Sequence, residues 1–358
     1  MFDDYLDQVF LMVITTFIFT ALIMPFTSKI AHKIGAIDVP RDKRRVHTKP
    51  IPKLGGLGIF AGFLFGYMLF GVHSVEMNSV LIGSFIIIIT GLLDDINPLK
   101  PKEKLLGQIF AALTITFYGK ILLTNLTVLG TTIEFGNFSY LITLFFILAC
   151  TNIINLIDGL DGLSSGISSI FYLTIGIIAF FQGRVDTLEI TLTFIMLGAT
   201  LGFLVHNFNP ATLFAGETGS SFMGFIIAVI SLLGYKGTLL TSFLVPIIIL
   251  AIPILDTLFA ILRRMIKGKP IFEADKDHLH HQFLKMNFSQ RGTVLVIYAI
   301  DILFSLASIF YALKDPYKGM AIYFILLILV IWFILHTSII SEKVRDKVKS
   351  IEKKTIKR

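Results

Sequence analysis

The chain has 358 residues, of which 55% are hydrophobic and only 15% charged, and its mean hydropathy is +0.82. A soluble domain needs more polar surface than this to stay dispersed, so the composition selects an integral membrane protein. The net charge of +7 is divided among apolar blocks instead of forming one basic face, so no nucleic-acid partner is expected. The lone cysteine, Cys150, excludes an intramolecular disulfide scaffold and reads as a small buried apolar residue.

A helix that crosses a bilayer needs ~20 mostly apolar residues. Eleven such spans are expected in chain order: Val9 to Ala31, Gly55 to Phe70, Ser79 to Leu93, Leu105 to Leu123, Ser139 to Ile157 and Gly166 to Phe181, then Thr187 to Val205, Phe222 to Leu233, Leu239 to Leu262, Thr293 to Leu313 and Met320 to Ile340. The eighth is short, with room to extend through Gly219, Ser220 and Ser221. The start of the chain is acidic (Asp3, Asp4, Asp7), unlike a secretory signal. Between the fourth and fifth spans, Thr124 to Gly136 alternates β-branched and polar residues around Gly130, which predicts a small hairpin. The fold class is thus an all-α polytopic membrane protein, with one membrane domain over 1–340 and a basic tail over 341–358. The tail reads as a solvated anchor near anionic lipid.

Counting Lys and Arg in alternate connections sets the orientation. One side collects 25 of them, in the stretch before Leu54, in Asp94 to Lys104, in Arg263 to Gly292 and in the tail; the other holds only Arg184, Lys236, Lys314 and Lys318. The positive-inside rule then puts the N-terminus outside and the C-terminus in the cytoplasm.

The unusual carboxylates all fall at the cytoplasmic helix ends. Asp94 and Asp95 close the third span, Asp158 and Asp161 follow the fifth in Asn155-Leu156-Ile157-Asp158-Gly159-Leu160-Asp161-Gly162, and Glu217 precedes the eighth. An ionisable group at an apolar boundary is costly without a partner. Adjacent Asp94 and Asp95 repel each other, which calls for a nearby cation or one raised pKa unless both are solvated loop residues. Asn155, Asp158 and Asp161 share a face if their helix continues, and the glycines allow close approach of a ligand. Glu217-Thr218-Gly219-Ser220 suits a metal, an anion or a plain helix cap.

In the basic loop, His278, His280 and His281 follow Asp277. They suit phosphate contact or solvation better than zinc, since neither Cys nor an HExxH pattern accompanies them. Carboxylates and cations at one membrane face are what Mg²⁺-assisted chemistry on a phosphoanhydride requires.

At these residues the chain resembles the polyprenyl-phosphate N-acetylhexosamine-1-phosphate transferase family, from His47-Thr48-Lys49-Pro50-Ile51-Pro52-Lys53-Leu54-Gly55-Gly56 through to the histidine cluster. The resemblance implies ten or eleven membrane helices and a bacterial plasma-membrane enzyme. Such an enzyme moves a sugar 1-phosphate from a UDP-sugar to undecaprenyl phosphate, releasing UMP at a cytoplasmic site with Mg²⁺, or Mn²⁺ in its place; a homodimer is compatible with it. It assigns Asp94 to the lipid phosphate, Asp95 to the metal region, and Asn155, Asp158 and Asp161 to diphosphate, metal and uridine contacts. Asn207 and Phe214 belong to the loop before the metal carboxylate, with Phe214 on the uracil; His278, His280 and His281 lie near the diphosphate, and Lys49 on the nucleotide side. By this carry-over the metal ligands are Glu217, Asp95 and Asp158.

Glu217 departs from the family's usual Asp, and Ala215 stands where a Met is common, so the small Ala215 is expected to let the backbone retract around the longer carboxylate. The pattern His278-Leu279-His280-His281 favours UDP-N-acetylglucosamine as donor over UDP-N-acetylmuramoyl-pentapeptide. Competing readings are a transporter or flippase of a lipid-linked anion, which would place charges on both faces or at mid-membrane, and a lipid-diphosphate hydrolase, which would not need the uridine-side residues.

Overall fold

The computed structural model describes residues 2–40, 49–128, 131–184, 187–236, 243–266, 268 and 278–336. The tail over 341–358, the last residues of the eleventh expected span, part of the ninth, and His47 and Thr48 lie outside the described residues.

The chain is a helical membrane bundle. Its helices are α1 (Phe2–Ile34), α2 (Gly55–Phe70), α3 (Val75–Ile96), α4 (Pro101–Leu113), α5 (Ser139–Ile157), α6 (Leu163–Phe181), α7 (Leu188–Asn207), α8 (Gly216–Lys236), α9 (Leu244–Ile249), α10 (Ala251–Ile266), α11 (Leu279–Lys285), α12 (Gln290–Leu313) and α13 (Pro316–His336). Eight of them, α1, α3, α5, α6, α7, α8, α12 and α13, are long and apolar enough to cross a membrane. The other three expected spans take different forms. Helix α2 has only 16 residues, α4 runs 13 residues and continues as a π-helical turn over Thr114–Tyr118, and the ninth span is broken into α9 and α10. The break has a local cause, because Pro253 has no N–H to give the Ile249 carbonyl and Leu250 leaves the helical conformation.

Helix starts follow their capping residues. The Ser74 side chain accepts from Met77 N at 3.0 Å at the head of α3, and Ser289 accepts from Gly292 N at 3.0 Å at the head of α12. The expected hairpin forms as β3 (Asn125–Val128) paired antiparallel with β4 (Thr131–Glu134). A shorter bridge joins β1 (Ile37–Asp38) to β2 (Ile51–Pro52).

Helix α8 is the centre of the bundle, packed against α2, α3, α5, α6 and α7. It begins at Gly216, six residues before the apolar run that marks it in the sequence, because the polar Glu217-Thr218-Gly219-Ser220-Ser221 segment is helical, with Thr218 through Ser221 buried among its neighbours. Lipid is as apolar as leucine, so close packing holds such a helix rather than transfer from water. Phe222 meets Phe60 and Phe63 edge-on, with ring centroids 5.4 and 5.5 Å apart. At Gly56 the backbones of α2 and α8 touch, and a Cβ there would overlap the Gly219 backbone. Cys150 is buried and free.

Candidate active site

The C-terminal ends of α3 and α5, the turn after α5 and the N-terminal end of α8 meet at one end of the bundle. They enclose a cavity of about 430 Å³ lined by Asp94, Asp95, Asn155, Asp158, Asp161, Asn207, Phe214, Glu217 and His281, together with Asp38, Lys53 and Ser220. Of the twelve residues singled out from the sequence, nine therefore line one space, while His278, His280 and Lys49 do not; Lys49 is exposed.

The side chains in this cavity divide by their partners. Asp95 is buried and caps α8: Glu217 N and Thr218 N each donate to it at 3.0 Å and the Thr218 hydroxyl at 2.6 Å. Behind it the Lys53 ammonium lies 3.7 Å away. Gly216 makes the cap possible, since it holds φ at +70° and a Cβ there would run into the Lys53 carbonyl and the Asp95 carboxylate.

Asp94 accepts from Leu99 N at 2.8 Å and from Lys104 Nζ at 3.3 Å, while the same ammonium donates to Glu217 at 2.7 Å. Lys104 thus stands between two carboxylates from different helices. Glu217 also accepts from the Ser221 hydroxyl at 3.0 Å.

Among the described residues, the Asp158 carboxylate accepts from the Ser164 hydroxyl alone, at 2.5 Å. Burial pushes it up to about 7, with the charges of Asp95, Glu217 and Asp161 adding to the rise and the Ser164 bond opposing it. Asn155 donates to the Ser220 hydroxyl at 2.8 Å.

Asp161 and Asn207 brace the loop that carries Phe214. Asp161 accepts from Asn209 Nδ2 at 2.9 Å and Ala211 N at 3.0 Å; Asn207 donates to the Leu213 carbonyl at 3.0 Å and accepts from Gly162 N at 3.1 Å and the Ser165 hydroxyl at 2.9 Å. Phe214 is fixed in turn through backbone bonds to Pro52 and Gly55, which explains why the Ile51 to Gly56 segment accompanies the cavity.

Two of the histidines, His278 and His280, are buried with parallel rings 5.6 Å apart, and the third, His281, opens on the cavity. Burial pushes His280 down to about 3, with the neighbouring histidines adding to it and Asp256 opposing, so its imidazole is neutral near pH 7. Among the described residues, no three His, Cys, Asp or Glu side chains converge as a ready-made metal cluster.

Sequence reasoning missed Lys104, Asp38 and Asp256 as parts of this region, while Ser220 and Lys53 entered only within the Glu217-Thr218-Gly219-Ser220 and His47 to Gly56 segments. Lys104 entered it only as an orienting charge, and the contacts of Lys104 and Lys53 to α3 and α8 are tertiary. Asp256 carried a legible signal, being the only charged residue in the run Ala251 to Leu262.

A polytopic helical protein with an acidic, lysine-bridged cavity at one end of its bundle is an enzyme site built at a membrane surface. Residues 77–235 match the family model described as glycosyl transferase family 4. Over the full length of both chains, the protein is 39% identical to the probable undecaprenyl-phosphate N-acetylglucosaminyl 1-phosphate transferase of Bacillus subtilis. It is 34% identical to decaprenyl-phosphate N-acetylglucosaminephosphotransferase of Mycobacterium tuberculosis, covering 75% of this chain and 74% of the relative. To the undecaprenyl-phosphate alpha-N-acetylglucosaminyl 1-phosphate transferase of Escherichia coli K12 it is 31% identical, over 79% and 78%. The chain belongs to this family of polyprenyl-phosphate sugar-phosphate transferases, and it is a multi-pass membrane enzyme of sugar-phosphate transfer.

Proposed function

We propose that the protein transfers N-acetylglucosamine 1-phosphate from UDP-N-acetylglucosamine to undecaprenyl phosphate and releases UMP, with Mg²⁺, at a site facing the cytoplasm, as the first membrane step of a cell-envelope glycopolymer. The observation that supports it most is the meeting of Asp94, Asp158 and Glu217 around one cavity, with Lys104 bonded to two of the three. The relatives' names supply the substrate class, and the concentration of Lys and Arg in connections at this end of the bundle supports the orientation.

In this reaction an oxygen of the lipid phosphate bonds to the sugar-bearing phosphorus, and the bond from that phosphorus to the bridging oxygen breaks. The bridging oxygen leaves with UMP. A phosphomonoester has a second pKa near ~6, so the attacking oxygen is already largely ionised near neutral pH and no strong base is needed. The residues have to align two anions and offset their charge. Lys104 presents an ammonium held by Asp94 and Glu217, and Lys53 a second one beside Asp95, to the phosphoryl groups. Phe214 offers a ring to the uracil, and His281 donates at the diphosphate.

The donor set fits Mg²⁺. It is all oxygen and gathers several carboxylates around one cavity, and Mg²⁺ is ordinarily held by one or two carboxylates plus substrate phosphates. Asp158 and Glu217 would hold the ion, with Asn155 and Ser220 as neutral oxygens, and Asp95 would act from behind by fixing the Glu217 backbone. When bound, the ion supplies charge neutralisation on the phosphoanhydride. Ala215 is buried, and a Cβ on Gly219 would lie 2.9 Å from the Ala215 Cβ, which supports a small residue being required beside Glu217.

The test is incubation of purified protein with UDP-N-acetylglucosamine, undecaprenyl phosphate and Mg²⁺. UMP released in equal amount to lipid product is the expected result. Turnover only with UDP-N-acetylmuramoyl-pentapeptide would replace the donor, and phosphate release from a lipid diphosphate without UMP would replace the reaction.

A further inference from the structure

Asp256 lies outside the cavity, on α10, and is 5% exposed. Its carboxylate is divided between two partners at the head of α11. His278 Nδ1 donates to one oxygen at 2.9 Å, and Leu279 N to the other at 2.8 Å.

From this point the contacts run without interruption to the cavity. The His278 ring stacks on His280 at 5.6 Å with planes 3° apart. His280 packs on Gly159, where a Cβ would meet its Nε2 at 2.5 Å, and Gly159 is the residue after Asp158. His280 also leans on His281 at 4.3 Å between centroids, and His281 lines the cavity. Helix α11 has only seven residues, too few to be stable by itself, so its position depends on what anchors its first turn. Leu279 and Phe283 hold it by apolar burial, and Asp256 is the polar anchor that sets the His278 ring and the first backbone amide.

We propose that Asp256 is a positioning residue of the transfer reaction: its carboxylate fixes the His278 ring with hydrogen on Nδ1 and holds the His278-Leu279-His280-His281 segment against the Asp158 turn. Asp256 itself touches no substrate. Its effect passes through the stacked rings, which set where His281 stands relative to the phosphates and how the Asp158 turn is backed. A buried carboxylate with two donors also explains why one charged residue persists in an apolar segment, since removing it would orphan both a ring N–H and a backbone amide.

The inference rests on the transfer reaction proposed above, and its test separates the two. Asp256→Asn is nearly isosteric and keeps an oxygen for Leu279 N, but turns an amide NH₂ toward His278. In full-length protein in nanodiscs labelled with ¹⁵N-histidine, wild type should give one downfield Nδ1–H resonance for His278 that is absent in Asp256→Asn and in His278→Asn. In the UMP-release assay, Asp256→Asn should lose roughly 10- to 100-fold in kcat, as small displacements of catalytic groups do, with donor KM within about threefold of wild type. The Asp256→Asn/His278→Asn double variant should be no slower than His278→Asn alone, as for residues acting as a unit. Unchanged kcat in Asp256→Asn, losses that multiply in the double variant, or absence of the resonance in wild type would each overturn the inference. If Asp256→Asn does not fold, His278→Asn, which leaves the Leu279 cap intact, must show the kcat loss by itself, and wild-type turnover in that variant overturns it. Wild-type protein that gives the resonance but releases no UMP overturns the reaction and not the contact.

Discussion

Lys104 donates to Glu217 at 2.7 Å, although 113 residues separate them in the chain. The same ammonium reaches Asp94 at 3.3 Å, so α4, α3 and α8 are joined by one charge beside two of the carboxylates that line the cavity. Lys104→Gln should fold and lose roughly 10²-fold or more in kcat, the scale of removing a group that offsets transition-state charge. Glu217→Gln should fall as far, because a neutral amide is a poor ligand for a hard cation, while Glu217→Asp should keep substantial activity with an altered Mg²⁺/Mn²⁺ preference. UMP-release rates across a Mg²⁺ titration measure both. Wild-type activity in Glu217→Gln would reduce Glu217 to a helix-end residue.

Asp94→Asn is close to isosteric and retains an acceptor for Leu99 N, so the end of α3 should stay folded. Turnover should nevertheless drop by roughly 10²-fold, since a carboxylate charge lining the cavity, one of the two that hold Lys104, is gone. A melting temperature equal to wild type together with near-normal kcat would remove Asp94 from the chemistry.

Phe214→Ala should act on donor binding. Stacking of a base on an aromatic ring is worth ~1 to 3 kcal/mol by alanine substitution, so the donor KM should rise by about fivefold or more while kcat changes little. Titration of KM for UDP-N-acetylglucosamine decides it, and no change would place the uracil elsewhere.

Two glycines with positive φ separate backbone strain from crowding. Gly35 has φ +78° with open space where a Cβ would go, whereas Gly216 has φ +70° and a Cβ there would strike Lys53 and Asp95. Gly35→Ala should destabilise by only ~1 to 2 kcal/mol, the left-handed penalty. Gly216→Ala should add overpacking of ~1 to 3 kcal/mol and break the Asp95 cap. Thermal denaturation in one detergent ranks them, and equal melting temperatures would mean that the start of α8 yields easily.

Orientation is testable by labelling. In a Cys150→Ala background, a cysteine at Val72 should react with impermeant reagent from outside and one at Met286 only after permeabilisation, both positions being exposed. Outside labelling at Met286 would invert the protein and move the cavity to the other face.

Much of this was legible from the sequence because burial of charge in an apolar chain is conspicuous. Asp94, Asp95, Asp158 and Glu217 stood out at span ends, and the structure gathers them at one end of the bundle. The hairpin was legible from alternation alone. The start of α8 was legible only as room to extend to Gly219, three residues short of Gly216, since hydropathy cannot separate a polar helical turn buried in protein from a polar loop. The roles of Lys53 and Lys104 were not legible, because their partners come from distant segments. The three histidines read as one cluster, yet His278 precedes a helix whose first turn carries His280 and His281 in different directions, so a single one faces the cavity. Pro246 and Pro253 could have announced the break in the ninth span.

Helix α8 is secured at both ends. Its first turn carries Asp95's cap, and at the far end Lys236 pairs with Glu76 of α3 at 3.2 Å while Tyr235 donates to Asn125 of the hairpin. Lipid meets chiefly the outer helices such as α1 and α13, and α8 is almost wholly enclosed. Tilting is how helices accommodate a thicker or thinner bilayer, and here that adjustment falls on the periphery. The central helix acts as a spindle, so Glu217 at its tip keeps its position while the outer helices follow changes in membrane thickness.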